Sequence, residues 1–252
     1  MSPIRCPVCD GLAQPHDVVD FNKSCEESRG KYLPLAGVPI YYFLCGGCGF
    51  CFAPEFRAWT LDDFEARIYN DNYTEIDPDY LDTRPRANAN WLMDLWPQGQ
   101  PEVAHLDFGG GGGLLSAVLR DNGWKSESYD PFVDLHKPIE ALGKYDLVTA
   151  FEVFEHVPDV NQLVVDLATL LQPDGVVVFS TLISEGGIAA HRRLDWWYAS
   201  PRNGHISLFS SKSLAILGGK VGFQFGSMSK LTHVYCRKVP PWAQHFLTGA
   251  PS

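Results

Sequence analysis

The 252-residue chain has no run of 18 apolar residues, and its amino terminus, MSPIRCPVCD, lacks both the basic and the apolar stretch of an export signal. Neither membrane insertion nor export is expected, and the cytoplasm is the expected location. Positive charge is scarce too: 20 Lys and Arg against 30 Asp and Glu leave a formal net charge of −10. With a pI near 5.2 the chain has no general attraction for phosphate backbones or anionic lipid, so a small-molecule partner is expected rather than nucleic acid. No internal repeat or low-complexity tract interrupts it. The seven cysteines are an odd number, and four of them form two C-x-x-C pairs, which suits a metal site in a reducing compartment better than a disulfide framework. What is abundant is apolar residues, at 45%, enough for one large domain or a main domain with a small appendage.

By texture the chain divides into a cysteine-bearing stretch, 1–55, an aromatic and acidic stretch, 56–102, read as a helical lid or linker, and 103–252, where apolar runs alternate with helical patterns. In the last part VAHLDF (103–108), SESYD (126–130), YDLVTAF (145–151) and VVVFSTL (176–182) read as strands. Helices are expected over 114–123, over 160–171 behind Asp159 as N-cap, and over 210–223, with QFGSM and THVYCRK as an antiparallel edge pair. The fold class expected is α/β: a Rossmann-like, mostly parallel sheet with an antiparallel terminal strand, plus a small amino-terminal zinc-ribbon-like module.

Five glycines, Gly109 to Gly113, follow Asp107 between the first of these strands and its helix. Glycine there lets a ligand approach the main chain at the carboxyl end of a parallel strand. A dinucleotide loop needs a small residue at the third place of G-x-G-x-x-G; counted from Gly109 that place holds Leu114, counted from Gly111 it holds Ser116. At the next strand end Asp130 is a carboxylate suited to two ribose hydroxyls, beside Pro131-Phe132 as an apolar shelf for a purine.

Asp107-x-Gly109-x-Gly111-x-Gly113 with Asp130 resembles class I S-adenosylmethionine-dependent methyltransferases. YDLVTAFEVFEHVPDV (145–160), LLQPDGVVVFSTLI (170–183) and NGHISLFSSKSLAILGGKVGF (203–223) are similar to further motifs of that family, in its order. The resemblance implies Asp107, Gly109, Gly111 and Gly113 along the methionine part and ribose of S-adenosylmethionine, and Asp130 on the ribose hydroxyls. It also implies Phe132 or Phe151 near the adenine, with Glu152 close by. Only fourteen residues separate Asp130 from Tyr145, where the family usually fits a helix and a third strand; HKPIEAL (136–142) supplies a turn or one short strand. GHISLFS resembles a stretch of sugar C-methyltransferases that also carry an amino-terminal cysteine zinc module, but Arg202 stands where they have tyrosine. In those enzymes a tyrosine-bearing segment folds over the cofactor, which makes Tyr73 and Arg86 the corresponding lid candidates here.

Transfer from a sulfonium needs an aligned nucleophile and, for oxygen or carbon, a base. His205 is the first candidate, with His156 lining the substrate pocket or bracing the turn before Pro158. Trp196, Trp197 and Tyr198, between arginines, read either as a stacking wall for a substrate or as a plain aromatic cover. Thr60 and Asp63 read as a capping pair. Cys6, Cys9, Cys45 and Cys48 are the expected ligands of a structural zinc, although Cys25 and Cys51 lie near and an iron site uses the same ligands. The expected activity is methyl transfer to oxygen or carbon of a small metabolite such as a sugar or natural-product intermediate. A cofactor-binding partner protein and a nicotinamide-dependent oxidoreductase are the alternatives, and the exposed ribbon is a candidate dimer contact.

Overall fold

A computed structural model of the chain describes residues 1–97, 99 and 101–247. In chain order its strands are β1 (Ile4–Arg5), β2 (Leu12–Asp20), β3 (Pro39–Cys45), β4 (Cys51–Phe52), β5 (Ala104–Phe108), β6 (Lys125–Tyr129), β7 (Tyr145–Ala150), β8 (Leu171–Ser180), β9 (Ser207–Leu208), β10 (Gln224–Ser227) and β11 (Thr232–Cys236). Its helices are α1 (Leu61–Arg67), α2 (Tyr73–Ile76), α3 (Thr83–Asp94), α4 (Leu114–Asp121), α5 (Val160–Leu170), α6 (Ser211–Gly219) and α7 (Gln244–Leu247). No helix among the described residues is long and apolar enough to cross a membrane.

These elements form two compact units that alternate along the sequence. One comprises Met1–Pro78, Phe154–Gln162 and Leu182–Leu217, the other Asp79–Val153, Leu163–Thr181 and Gly218–Ser252. The boundaries expected at 55 and 102 do not coincide with them. The physical reason is β9: Phe52 of β4 pairs with Ser207, so a segment from far along the chain completes the amino-terminal sheet.

The first unit carries the antiparallel sheet β1-β2-β3-β4-β9. Its core is aromatic: Tyr42, Phe56, Phe64, Tyr73 and Tyr198 are buried together with Ile68 and Leu208. α1 begins at a complete capping box, in which Asp63 N–H donates to Thr60 Oγ1 (3.2 Å) and Thr60 N–H to Asp63 Oδ2 (3.0 Å).

The second unit is the expected α/β layer. Its sheet runs β10-β11-β8-β7-β5-β6, parallel from β8 through β6 and antiparallel at β11 and β10. The central strands are buried on both faces, as a covered parallel sheet requires, with His105, Asp107 and Thr149 as buried polar residues among the apolar ones. α4 turns Leu115 and Leu119 into the core, and Ser116, fully buried, donates to Glu127 O (2.7 Å), so the small residue of the loop register counted from Gly111 is the one facing β6. Between Asp130 and Tyr145 there is one short 3-10 turn, Ile139–Ala141, and no strand, leaving β6 as the sheet edge among the described residues.

Candidate functional site

β5 delivers Asp107 to the start of the glycine run, and the run has two kinds of glycine. Gly109, Gly111 and Gly113 have φ of +76°, +52° and +76°, the left-handed region that side chains disfavour. A Cβ on Gly109 would sit 2.5 Å from Val153, and one on Gly110 would sit 2.3 Å from Ser128 Oγ and 2.6 Å from Asp107 Oδ2. Gly112 differs from all of these: its φ is ordinary and a Cβ would meet nothing within 4 Å. The fold itself does not require a glycine there.

Asp130 is tied to this loop. Gly111 N–H donates to its Oδ2 (2.9 Å) and Phe132 N–H to its Oδ1 (2.8 Å), so each oxygen keeps acceptor capacity for a further hydroxyl. Ser128 Oγ, buried beside Gly110, has no hydrogen-bond partner among the described residues. Bare backbone, an oriented carboxylate and an orphaned hydroxyl at the carboxyl ends of β5 and β6 fit a ribose-bearing cofactor.

Asp107 is buried and held from behind by a chain of hydrogen bonds. Thr149 Oγ1 donates to Asp107 Oδ1 (2.7 Å), His105 Nε2 lies 3.0 Å from Thr149 Oγ1, and Ser126 Oγ lies 2.7 Å from His105 Nδ1. Burial drives the His105 imidazole down to about 3, so it is neutral, and its single proton sits on Nε2, facing the threonine oxygen. Burial pushes the Asp107 carboxyl up to about 7; the Thr149 hydrogen bond opposes the rise and the Asp130 charge adds to it.

Glu152, just past β7, has φ +54°, a strained conformation for a side-chain-bearing residue, and both its N–H (2.8 Å) and its Oε1 (3.0 Å) meet Ser180 Oγ. Phe151 packs edge-on against Trp91 at 6.0 Å, while Phe132 is about one-third exposed beside Asp130. The lid candidates fare differently. Arg86 is exposed and paired with Asp82 (2.9 Å), and Tyr73 is buried in the aromatic core of the first unit with its hydroxyl on Asn203 O (3.3 Å). The tyrosine at the loop is Tyr80, whose hydroxyl lies 3.5 Å from a Cβ built on Gly111.

In the first unit Cys6, Cys9, Cys45 and Cys48 converge, their sulfurs all within 4.8 Å of one another, with Cys6 to Cys48 at 3.6 Å and Cys9 to Cys45 at 3.4 Å. They come from two matching turns. Cys6 N–H donates to Gly11 O and receives Asp10 N–H on its carbonyl; Cys45 does the same with Phe50 and Gly49. The residue closing each turn is left-handed, Asp10 at +60° and Gly49 at +77°. This donor set fits one tetrahedral metal ion. Cys51 is not part of it: it is fully buried in the aromatic core, where burial pushes its thiol up. Cys25 lies elsewhere, its sulfur 3.7 Å from His205 Nδ1.

His205 and His156 are brought together, ring centroids 4.8 Å apart. His205 is buried, and its Nδ1 lies 2.8 Å from Tyr198 O. Tyr198 hydroxyl donates to Glu155, and Tyr69 hydroxyl meets His156 Nδ1 at 3.0 Å. Of the two readings of 196–198, a stacking wall or a plain aromatic cover, the packing is closer to the cover. Tyr198 is buried on His205 and Trp196 packs against the core, leaving Trp197 exposed, because the turn after Ser200 folds the segment inward. Arg202 is buried too, donating to Ile68 O (3.1 Å). Sequence reading passed over Tyr80 as a loop neighbour, Thr149 and the supporting tyrosines; each is a residue of ordinary type whose role comes from a partner distant in sequence.

A parallel α/β sheet with a glycine loop and an acidic residue at adjacent strand ends defines a nucleotide-type cofactor fold. A methyltransferase-domain family model matches residues 80–226, and the chain belongs to that family, the S-adenosylmethionine-dependent methyltransferases. The chain is 37% identical over 115 residues to the ubiquinone biosynthesis O-methyltransferase of Bordetella avium, covering 36% of this chain and 47% of that protein. It is 31% identical over 199 residues to the enzyme of that name from Burkholderia thailandensis, covering 66% of this chain and 75% of that one. For several such relatives the chain spans only about half their length, 47% to 56%. An O-methyltransferase family protein of Burkholderia thailandensis shares the fold, with a TM-score of 0.50, 13% identity, and coverage of 73% of this chain and 64% of that one. The nicotinamide alternative finds no support in these likenesses.

Proposed function

We propose that the chain binds S-adenosylmethionine at the glycine loop and transfers its methyl group to an oxygen of a small metabolite, of the sugar or natural-product kind. The observation that carries this is Gly112, a glycine that the fold does not need, in a loop whose neighbour Gly111 is hydrogen-bonded to Asp130 (2.9 Å). Asp107, Gly109, Gly111 and Gly113 would follow the methionine part and ribose, Asp130 would accept from the ribose hydroxyls, and Phe132, with Phe151 and Glu152, would flank the adenine. Tyr80 takes the covering role that the resemblance gave to Tyr73 and Arg86. The bound cofactor supplies an activated methyl on a sulfonium; the chain must orient the acceptor and take its proton.

His205 is assigned as the base. Its Nδ1 faces the carbonyl of Tyr198, a group that only accepts, so Nδ1 keeps the proton and Nε2 carries the lone pair. His156 beside it is the assigned substrate-positioning residue. The four cysteines are assigned a structural zinc, which with four sulfur ligands has no open position for chemistry.

Equilibrium binding of S-adenosylmethionine, S-adenosylhomocysteine and NADH tests the reading. The two sulfur cofactors bind, Asp130→Ala weakens them, and NADH does not compete. With a responsive acceptor, His205→Ala abolishes turnover while cofactor affinity persists. Binding without transfer to any acceptor would instead favour a partner protein that only holds the cofactor.

A further inference from the structure

Tyr198 supports two side chains at once. Its carbonyl accepts from His205 Nδ1 (2.8 Å), its hydroxyl donates to Glu155, and its ring lies 4.2 Å from the His205 ring. Tyr69 hydroxyl holds His156 in the same way through Nδ1 (3.0 Å). Glu155, His156 and His205 thereby each bring one ligand atom to a common place, the three atoms lying within 4.8 Å of one another. Gly204 makes the meeting sterically open: its φ of +86° turns the chain into His205, and a Cβ there would fall 2.6 Å from the Tyr69 hydroxyl and 3.0 Å from His156 Nδ1.

We propose that Glu155, His156 and His205 bind a divalent first-row cation of the zinc class, at a site separate from the four cysteines. Two imidazoles and one carboxylate form the borderline nitrogen and oxygen donor set that such ions take. Ligating histidines are oriented through a hydrogen bond at the other ring nitrogen, and both rings have one here. Glu155 and His205 are buried, and a cation balances a carboxylate taken out of water. Bonds of about 2.0–2.2 Å would hold the three atoms closer together than that 4.8 Å limit, and three protein ligands leave one position for water or another oxygen. The cation takes the Nε2 lone pair assigned above to the acceptor's proton, so its binding opposes methyl transfer. That consequence rests on His205 being the base; the binding itself does not.

The test is cobalt(II) added to the full chain with zinc already on its cysteines. One further equivalent is expected, with weak d–d absorption and no thiolate-to-metal charge-transfer band. His156→Asn and Glu155→Gln abolish it, and Tyr69→Phe weakens it about tenfold by freeing the His156 ring. No further equivalent, a spectrum with thiolate charge transfer only, or binding unchanged in His156→Asn overturns the site. His156, only half-buried, decides the matter if the Glu155 variant does not fold. Reversible inhibition of turnover by zinc is expected alongside; cation binding that leaves turnover untouched would keep the site and remove His205 as base.

Discussion

A single buried carboxyl sets the pH response of the loop. Asp107 titrates near 3.8 in an unfolded chain, whereas burial holds it at about 7 in the folded one. Between those values the native state keeps a proton that the unfolded state has lost, so Asp107 contributes stability that declines as pH rises through the window and is gone above about 7. Urea unfolding at pH 4.5 and pH 8 is expected to show a smaller decline in Asp107→Asn than in the unsubstituted chain, by at most about 3 kcal/mol. Equal declines would mean that this carboxyl is ionised throughout. The glycines give a second prediction. Gly109→Ala, through strain and close contact, and Gly110→Ala, through close contact alone, should each cost about 1–3 kcal/mol of stability. Gly112→Ala should stay within about 0.5 kcal/mol by thermal unfolding, yet lower S-adenosylmethionine affinity roughly tenfold. Unchanged affinity in Gly112→Ala would deny the cofactor that part of the backbone. The place of Asp130 at a strand end beside the glycine loop was legible in the sequence, but Thr149 behind Asp107 was not: 42 residues separate the two, and only the register of β5 with β7 makes them neighbours.

Elements with a long signal were legible. The apolar runs that became β5, β7 and β8 cannot be satisfied on a surface, Asp159 takes the N–H groups of Asn161 and Gln162 (both 3.1 Å) at the start of α5, and the terminal antiparallel pair formed as read. The same holds for the start of α1, where the capping box leads to an expected loss of about 1 kcal/mol in Thr60→Ala, measured by urea unfolding against Asp63→Ala and the double variant. Additive losses would show that the two residues act separately. The shortness of the 131–144 connection was visible as a plain count, and it leaves β6 as an edge that Lys125 and Glu127 protect with charge. β4 and β9 were not legible: two residues carry no periodicity, and each becomes a strand only against the other.

For the molecule as a whole, the first unit draws on three separate segments, and the cysteine turns are bound into it. Ser210 Oγ donates to Cys48 O, and Asn161 donates to Pro7 O (3.1 Å), so both later segments hold a knuckle. If the four cysteines hold the zinc proposed for them, stripping it should therefore release more than residues 1–55. Hydrogen exchange after chelation is expected to show protection lost across 1–78, 154–162 and 182–217 while the strands between 104 and 150 keep theirs. Loss confined to 1–55 would make the cysteine module an independent piece. The pairing of Phe52 with Ser207 also carries a cost in time. At about 5–20 residues per second a ribosome takes on the order of ten to thirty seconds to travel from one partner to the other, and throughout that interval β4 waits as an open edge. The metal proposed for the cysteines, if captured early, would hold the two knuckles together until the missing strand emerges.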